Sequence, residues 1–420
     1  MRQAARGGLV LLMFLVTATA GRAQTLGTVA GSVKDTSGAL LPGVTVEVAS
    51  PALIEKTRTA ITDGAGQYTI VNLPVGSYSV TFSLAGFNAI RREGIEVLSN
   101  FTANVNAEMK VGAISETVTV TGEAPIVDVQ SATTVRAITP LVIRALPSGG
   151  TMYQYAAMNP GVTLSGGASV VDVGGMSGSN VAAQLSAHGG APGDEAQMLD
   201  GIKVGNMQSN AGRTGYTYSP LLFAQVDVLI SGQMGDSPTL GVQTNAIPRS
   251  GSNVFSGTIL ANGSKPSRQS SNLTSRLQAS SPDLAQVAPW GLTLTSSMKA
   301  LGQAAGSLGG PIVKDRVWFY AAGFGSTNQS YVAGLYYPVD PAARVRVSDL
   351  NNPAYDDQYV WDTTQRFNIS LSPKLQLTEF NEWQRKWYNH YQISGTLSPE
   401  ATAKVFWPRH FHQSCSRQRF

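Results

Sequence analysis

The chain has 420 residues, enough for two or three domains. Only 13% of them are charged, about half the share usual in a soluble domain, and 44 are glycine, which suits a turn-rich all-β secreted or outer-membrane protein. The net charge of +4 forms no basic stripe, which argues against a nucleic-acid partner, and the single cysteine, Cys415, excludes an internal disulfide and a cysteine-based metal site.

At the N-terminus, Arg2 and Arg6 precede the apolar run Gly8 to Val16. This reads as a secretory signal peptide over residues 1–23. The small residues Gly21 and Ala23 predict cleavage between Ala23 and Gln24. The apolar run is too short to span a bilayer, and no later stretch is long and apolar enough to do so as a helix. Any membrane crossing therefore falls to β-strands.

Residues 25–110 alternate apolar and polar residues in short runs broken by turn formers. The expected strands are Gly27 to Lys34, Val44 to Val48, Thr57 to Thr62, Gln67 to Val71, Tyr78 to Phe82, Gly94 to Leu98 and Phe101 to Met109. Turns are expected at Asp35 to Gly38, Asp63 to Gly66 and Leu73 to Gly76. Short strands at this spacing predict a β-sandwich. Its expected core is Val33, Val46, Val48, Tyr68, Ile70, Tyr78, Val80 and Phe82. Asp63 with Gly64 and Gly66 has the look of a calcium loop but too few carboxylates for one, so a plain turn is expected.

In order, Gly31-x-Val33-x-Asp35, Pro42 to Val46, Thr62-Asp63-x-x-Gly66-x-Tyr68, Leu73-Pro74-x-Gly76-x-Tyr78 and Gly86-Phe87 resemble the carboxypeptidase regulatory-like domain. The resemblance implies a prealbumin-like seven-stranded sandwich. That family is non-catalytic and is related to carbohydrate-binding sandwiches.

Residues 111–125 form a seam. Thr117 to Thr121 alternate Thr and Val, which favours extended backbone, between Gly112 and the turn formers Gly122 to Pro125. From pattern alone two readings stand: the first strand of the next domain, or a peptide that lends a strand to a partner's sheet edge.

Residues 126–250 mix short helices and strands with glycine-rich loops, which predicts an α+β domain. Helices are expected at Ile138 to Leu146 and Tyr153 to Met158, and long loops over Val162 to Gly193. Strands are expected at Met198 to Ile202, with a tight Asp200-Gly201 turn, at Val226 to Ile230 and at Val242 to Ile247. Leu146-Pro147, Met158 to Val162, His188-Gly189, Leu199 to Ile202, Val226 to Val228 and Asn245 to Gly251 resemble the plug of TonB-dependent outer-membrane receptors of the Oar-like type. In that type a carboxypeptidase regulatory-like domain precedes the plug. His188 stands where the family usually has Arg, and Pro248-Arg249 stand where it usually has Thr-Lys. Pro248 lacks a ladder donor, so pairing at the plug exit is expected to differ. The resemblance gives the seam a role: Glu116, Thr117, Val118, Thr119, Val120 and Thr121 are similar to a TonB box, the peptide that pairs with the periplasmic energy-transducing protein.

Residues 251–406 read as a partial β-barrel. Asn253 to Leu260 is an expected first strand, and residues 261–300 an expected loop. Ser307 to Tyr320 resembles a strand, a short Lys314-Asp315 turn and a second strand of Oar-like receptors, with aromatics near an interface. Arg366 to Leu371 and Leu375 to Phe380 form an expected hairpin. The stretch after Ser250 has room for about six to eight strands, whereas a plugged transporter barrel has about 22. Residues 407–420 show no alternation and read as an atypical tail. His410, His412 and Cys415 are close in sequence but are not read as a metal site.

These features predict a mainly β protein: sandwich, α+β plug, then incomplete outer-membrane barrel. The implied function is energy-coupled uptake of a scarce substrate, such as an oligosaccharide or siderophore. The implied partners are a TonB-type protein, outer-membrane lipid and an extracellular substrate, possibly a carbohydrate. The implied location is the outer membrane, reached by the Sec route, or the periplasm if the barrel does not insert. The alternative is a non-transporting envelope protein whose sandwich binds carbohydrate or mediates adhesion. No nucleophile, base and orienter set is visible, so neither an enzyme nor a cofactor is expected.

Overall fold

The computed structural model describes residues 26–50, 52–53, 56–99, 101–112, 117–121, 134–139, 142–143, 152–165, 184–191, 194–204, 216–231, 241–269, 297–343, 345–372, 375–391, 393 and 398–418. The signal peptide with Ala23 and Gln24, Glu116, and most of the expected glycine-rich loop lie outside these residues.

The first layer pair is built from β1 (Gly27–Asp35), β2 (Thr45–Ala49), β3 (Thr57–Ile61), β4 (Gln67–Leu73), β5 (Gly76–Ser83), β6 (Ala89–Val97), β7 (Thr102–Asn104), β8 (Ala107–Met109) and β9 (Thr117–Thr121). One sheet runs β4-β1-β7, with β8 also on β1, and the other β3-β2-β5-β6-β9. All eight expected core residues are buried between them, with Leu73, Ile95 and Met109. The Tyr68 and Phe82 rings meet edge to face at 5.7 Å. Asp63 accepts the N–H groups of Ala65 and Gln67 in its own turn, both at 2.9 Å, and Gly66 has φ +63°, so the loop closes on itself.

Two details differ from the sequence reading. Phe101 to Met109 is not one strand but two, both parallel to β1. The break falls where the Asn106 side chain accepts the Ser32 N–H at 2.8 Å, a bond the ladder would otherwise make. The seam's Thr117–Thr121 is neither a free peptide nor part of the following sheet. It is the last strand of the sandwich.

The plug sheet follows, from β10 (Thr134–Ile138), α1 (Met152–Ala157), β11 (Val162–Ser165), β12 (Gln184–Ala187), β13 (Glu195–Leu199), β14 (Ile202–Lys203), β15 (Phe223–Ser231) and β16 (Val242–Pro248). Its order is β10-β15-β16-β13-β14, with β11 and β12 paired separately. Ile138 ends a strand, where the sequence predicted the start of a helix. At the exit, the pairing of β15 with β16 shifts register between Phe223 and Gln225, opposite Pro248. Arg249 restores the connection, its N–H reaching the Leu222 carbonyl at 2.8 Å.

The last sheet is six antiparallel strands in sequence order: β17 (Ser256–Ser264), β18 (Ser297–Val313), β19 (Val317–Pro338), β20 (Ser348–Ser372), β21 (Leu375–Tyr391) and β22 (Ala403–Gln418). It is an open piece of an up-and-down barrel wall. The tail read as atypical and without alternation supplies most of β22, which pairs along β21 from Ala403 to Gln418. The alternation is hidden because apolar and polar residues share each face, Phe411 and Cys415 with Gln413 on one and Phe406 with His410 and His412 on the other. Gln413 and Cys415 are buried toward the plug side, while His410, His412 and Ser414 face outward. His410 and His412 therefore lie on the face opposite Cys415 and do not converge with it. His410 stacks on Trp383 at 4.0 Å, and His412 Nδ1 meets Asn381 Oδ1 at 2.8 Å.

Candidate coupling site

Two places join the parts of this chain: the seam strand on the sandwich, and the plug hairpin on the barrel wall.

The seam strand β9 runs parallel to β6, with Ala89 opposite Thr117, Ile90 opposite Val118, Arg91 opposite Thr119, Arg92 opposite Val120 and Glu93 opposite Thr121. The chain is held at Lys110 and Gly112. The Asn88 N–H reaches the Lys110 carbonyl at 2.8 Å, and the Gly112 N–H reaches the Gly86 carbonyl at 3.1 Å. Pairing stops where β6 bulges. The register of β6 with β5 shifts between Tyr78 and Val80, and Gly94 there has φ +77°, a conformation that favours glycine.

The plug hairpin is β13-turn-β14. Asp200 and Gly201 have φ of +52° and +83°, as a two-residue type I′ turn requires. Leu199 is fully buried ahead of the turn. The Asp200 N–H reaches the Ala246 carbonyl at 2.8 Å, and the Gly201 N–H reaches Asn245 Oδ1 at 2.9 Å, so β16 holds both ends. This fixed turn points the Asp200 carboxylate at Arg366 of β20, Nη2 to Oδ2 2.8 Å, with both side chains almost fully buried. The pair borders a cleft of about 320 Å³ lined from all three parts, including Leu53, Arg249, Trp318 and Arg366. A second plug segment docks beside it. Gln384 of β21 donates to the Thr217 carbonyl at 2.7 Å, and Tyr320 of β19 to the Leu221 carbonyl at 2.6 Å.

His188 and Gly189, the other plug landmarks, form the left-handed turn after β12, with φ of +51° and +78°. They lie against Gly161, whose carbonyl accepts the His188 N–H at 3.2 Å, and not at the Asp200–Arg366 contact. Within the plug, Asp227 is buried and paired with the Gln225 amide. Burial pushes its carboxyl up to about 6, against hydrogen bonds from Gln225 and Ser99 that lower it. Sequence reasoning missed Arg366 and Asp227. The available signal was a charged residue on the face of a strand whose other face, Phe367 and Ile369, is apolar.

Residues 28–110 match the family model for the carboxypeptidase regulatory-like domain. This chain carries that domain. Over a longer stretch the likeness is to transporters. The chain is 27% identical over 324 residues to the TonB-dependent transporter Oar of Myxococcus xanthus, an alignment covering 75% of this chain and 28% of the relative. The chain therefore spans little more than a quarter of that relative's length. Among solved structures it is similar to the siderophore receptor PirA of Acinetobacter baumannii, with 13% identity, 69% of this chain and 38% of that one covered, and a TM-score of 0.46. It is also similar to the outer membrane transporter YddB of Escherichia coli, with 16% identity, 62% and 34% covered, and a TM-score of 0.43. These are transporters and receptors, not enzymes. The chain resembles TonB-dependent receptors of the Oar-like type, and its fold is the mainly β one expected: a sandwich, a mixed plug sheet and an incomplete barrel wall.

Proposed function

We propose that this chain serves energy-coupled uptake across a bacterial outer membrane, after export by the Sec route. The observation that carries the reading is the Asp200–Arg366 contact. It seats a mixed α/β unit against the polar inner face of an up-and-down sheet, as a plug sits in a barrel. The likeness to the Oar transporter supports it. In this reading residues 126–250 are the plug, residues 251–418 belong to the barrel wall, and Glu116 to Thr121 is the coupling peptide for a TonB-type periplasmic protein. The cargo is a scarce extracellular molecule, an oligosaccharide or a siderophore, and outer-membrane lipid surrounds the outward face.

The test is fractionation of cells that express the chain. The expected result is recovery in the outer membrane with heat-modifiable migration. Recovery as a soluble periplasmic protein would sink the reading and leave an envelope binding module built on the sandwich.

A further inference from the structure

β20 turns alternate residues to the inner face of the wall, so Arg366 and Asn368 stand side by side there. Both side chains are deeply buried, at 4% and 6% exposure, and both line the cleft of about 320 Å³ where sandwich, plug and wall meet. Neither has all its polar atoms paired. Arg366 Nη2 holds Asp200, but among the described residues Nε and Nη1 have no acceptor. Asn368 Nδ2 donates to Thr378 Oγ1 at 3.1 Å, while Oδ1 has no donor. Buried polar groups are almost always paired, and an orphan on a charged group is the most costly kind. The charge of the cleft is unmatched as well. Its lining carries two arginines, Arg249 and Arg366, against one carboxylate, Asp200, which leaves one positive charge over. Arg249 is held in place by its Nε–H on the Phe223 carbonyl at 3.0 Å. Trp318 and Tyr320 add ring surface to the same lining. Their polar tips are already engaged, Trp318 Nε1 on Asn253 Oδ1 at 2.7 Å and the Tyr320 hydroxyl on the Leu221 carbonyl at 2.6 Å.

We propose that this cleft binds a small organic monoanion, a hydroxycarboxylate. The ligand's oxygens accept from the Arg366 N–H groups that Asp200 leaves over, and its hydroxyl donates to Asn368 Oδ1. Its carbon skeleton lies against the rings of Trp318 and Tyr320. Three features select this class. One unmatched positive charge suits a carboxylate better than a phosphate monoester, which carries nearly two negative charges at neutral pH. An unpaired acceptor beside unpaired donors calls for a ligand that both accepts and donates, which neither chloride nor a plain carboxylate does. A volume of about 320 Å³ stands at the lower end of small-molecule sites, so the ligand is a single small unit and not an oligomer. Arg249 follows β16 and Arg366 lies on β20, so the site is complete only while those two sheets are docked. The cleft takes the anion whether or not the chain moves a cargo.

The test is calorimetric titration of the full chain in detergent at fixed ionic strength. The probe is D-gluconate, a monoanion with a hydroxyl beside its carboxylate. Hexanoate keeps the charge without the hydroxyls, and D-glucitol keeps the hydroxyls without the charge. The expected result is saturable binding of gluconate, binding of hexanoate about tenfold weaker, and none of glucitol. No saturable binding of gluconate up to about 10 mM overturns the proposal, because water then meets the orphaned donors. Glucitol or hexanoate binding as tightly as gluconate overturns it too, since the charge or the hydroxyl is then not read. Two variants place the site. Asn368→Ala is expected to weaken gluconate by about tenfold and to leave hexanoate unchanged, which also shows that the cleft is still folded. An equal effect on both ligands, or none on either, overturns the assignment of Asn368. Arg366→Lys keeps a cation for Asp200 but loses the planar set of donors, and is expected to weaken both anions by about tenfold. Unchanged binding in that variant puts the anion elsewhere and overturns the proposal.

Discussion

The sandwich, with its parallel pairs at β7, β8 and β9, and the wholly antiparallel barrel wall are both β-structure, yet they are built inside out relative to each other. The sandwich buries Val29, Val46, Val80 and Phe82 between its sheets and keeps charged side chains such as Arg91 and Glu93 outside. The wall buries Asp362, Thr364, Arg366, Glu382 and Gln384 toward the plug. It turns Ile259, Trp361 and Trp383 outward, at 89%, 57% and 57% exposure. Alternation of two residues per repeat serves both, but the face that counts as interior is reversed, which fits the outward face proposed above. Stability in the first rests on apolar burial. In the second, wall and plug meet through polar contacts such as Arg366 with Asp200 and Gln384 with Thr217.

Four substitutions break or sharpen this contrast. Phe82→Ala empties a fully buried site and is expected to cost the sandwich about 3–5 kcal/mol. Thermal melting should show the sandwich unfolding early while protection of β18–β21 amides is kept. Arg366→Ala is expected to cost about 3 kcal/mol on the plug side, because it leaves the Asp200 carboxylate buried without its partner. Hydrogen exchange at Asp200 to Lys203 should speed up with the sandwich unaffected. Equal acceleration in both regions would show that plug and sandwich unfold together.

Asp227→Asn acts in the opposite direction. A carboxyl raised from 3.8 to about 6 in the folded plug carries its full penalty above pH 6, and the penalty disappears as pH falls from 6 toward 4. Removing it should stabilise the plug by about 2–3 kcal/mol at pH 7 and by nothing near pH 3.5. Melting curves across that range check both ends, and a gain of the same size at low pH would count against burial as the cause. The smallest effect belongs to Tyr68→Phe. The Tyr68 hydroxyl donates to the buried Val105 carbonyl at 2.7 Å, and its loss should cost about 1–2 kcal/mol in chemical denaturation.

The same inversion decides how much the sequence discloses. The sandwich is legible because Val46 and Val48 or Tyr78, Val80 and Phe82 are apolar at every second position, with Asp63 and Gly66 marking a turn between strands. The hairpin at Ser372 to Leu375 is legible for the same reason on its outward face. β22 is not, because Arg409 and Gln413 interrupt Trp407, Phe411 and Cys415 on the face toward the plug, while Phe406 shares the outer face with His410 and His412. The Asp200-Gly201 turn is visible as a dipeptide with a known geometry. Its partner Arg366 is not, because a contact across 166 positions leaves no local pattern. For Thr117–Thr121 propensity discloses an extended backbone but not which edge receives it, since β6 pairs through main-chain atoms that every residue shares.

That last point bears on how this segment tolerates change. From Ala89 to the bulge at Glu93-Gly94 the seat on β6 is measured in residues, not in side chains. Many β-formers at positions 117–121 should fit equally well. A single residue inserted within positions 117–121 would instead put the strand out of step with β6 from that point on, so that the main-chain groups after it face away. Drift in spelling is then nearly neutral here, while a one-codon gain or loss is not.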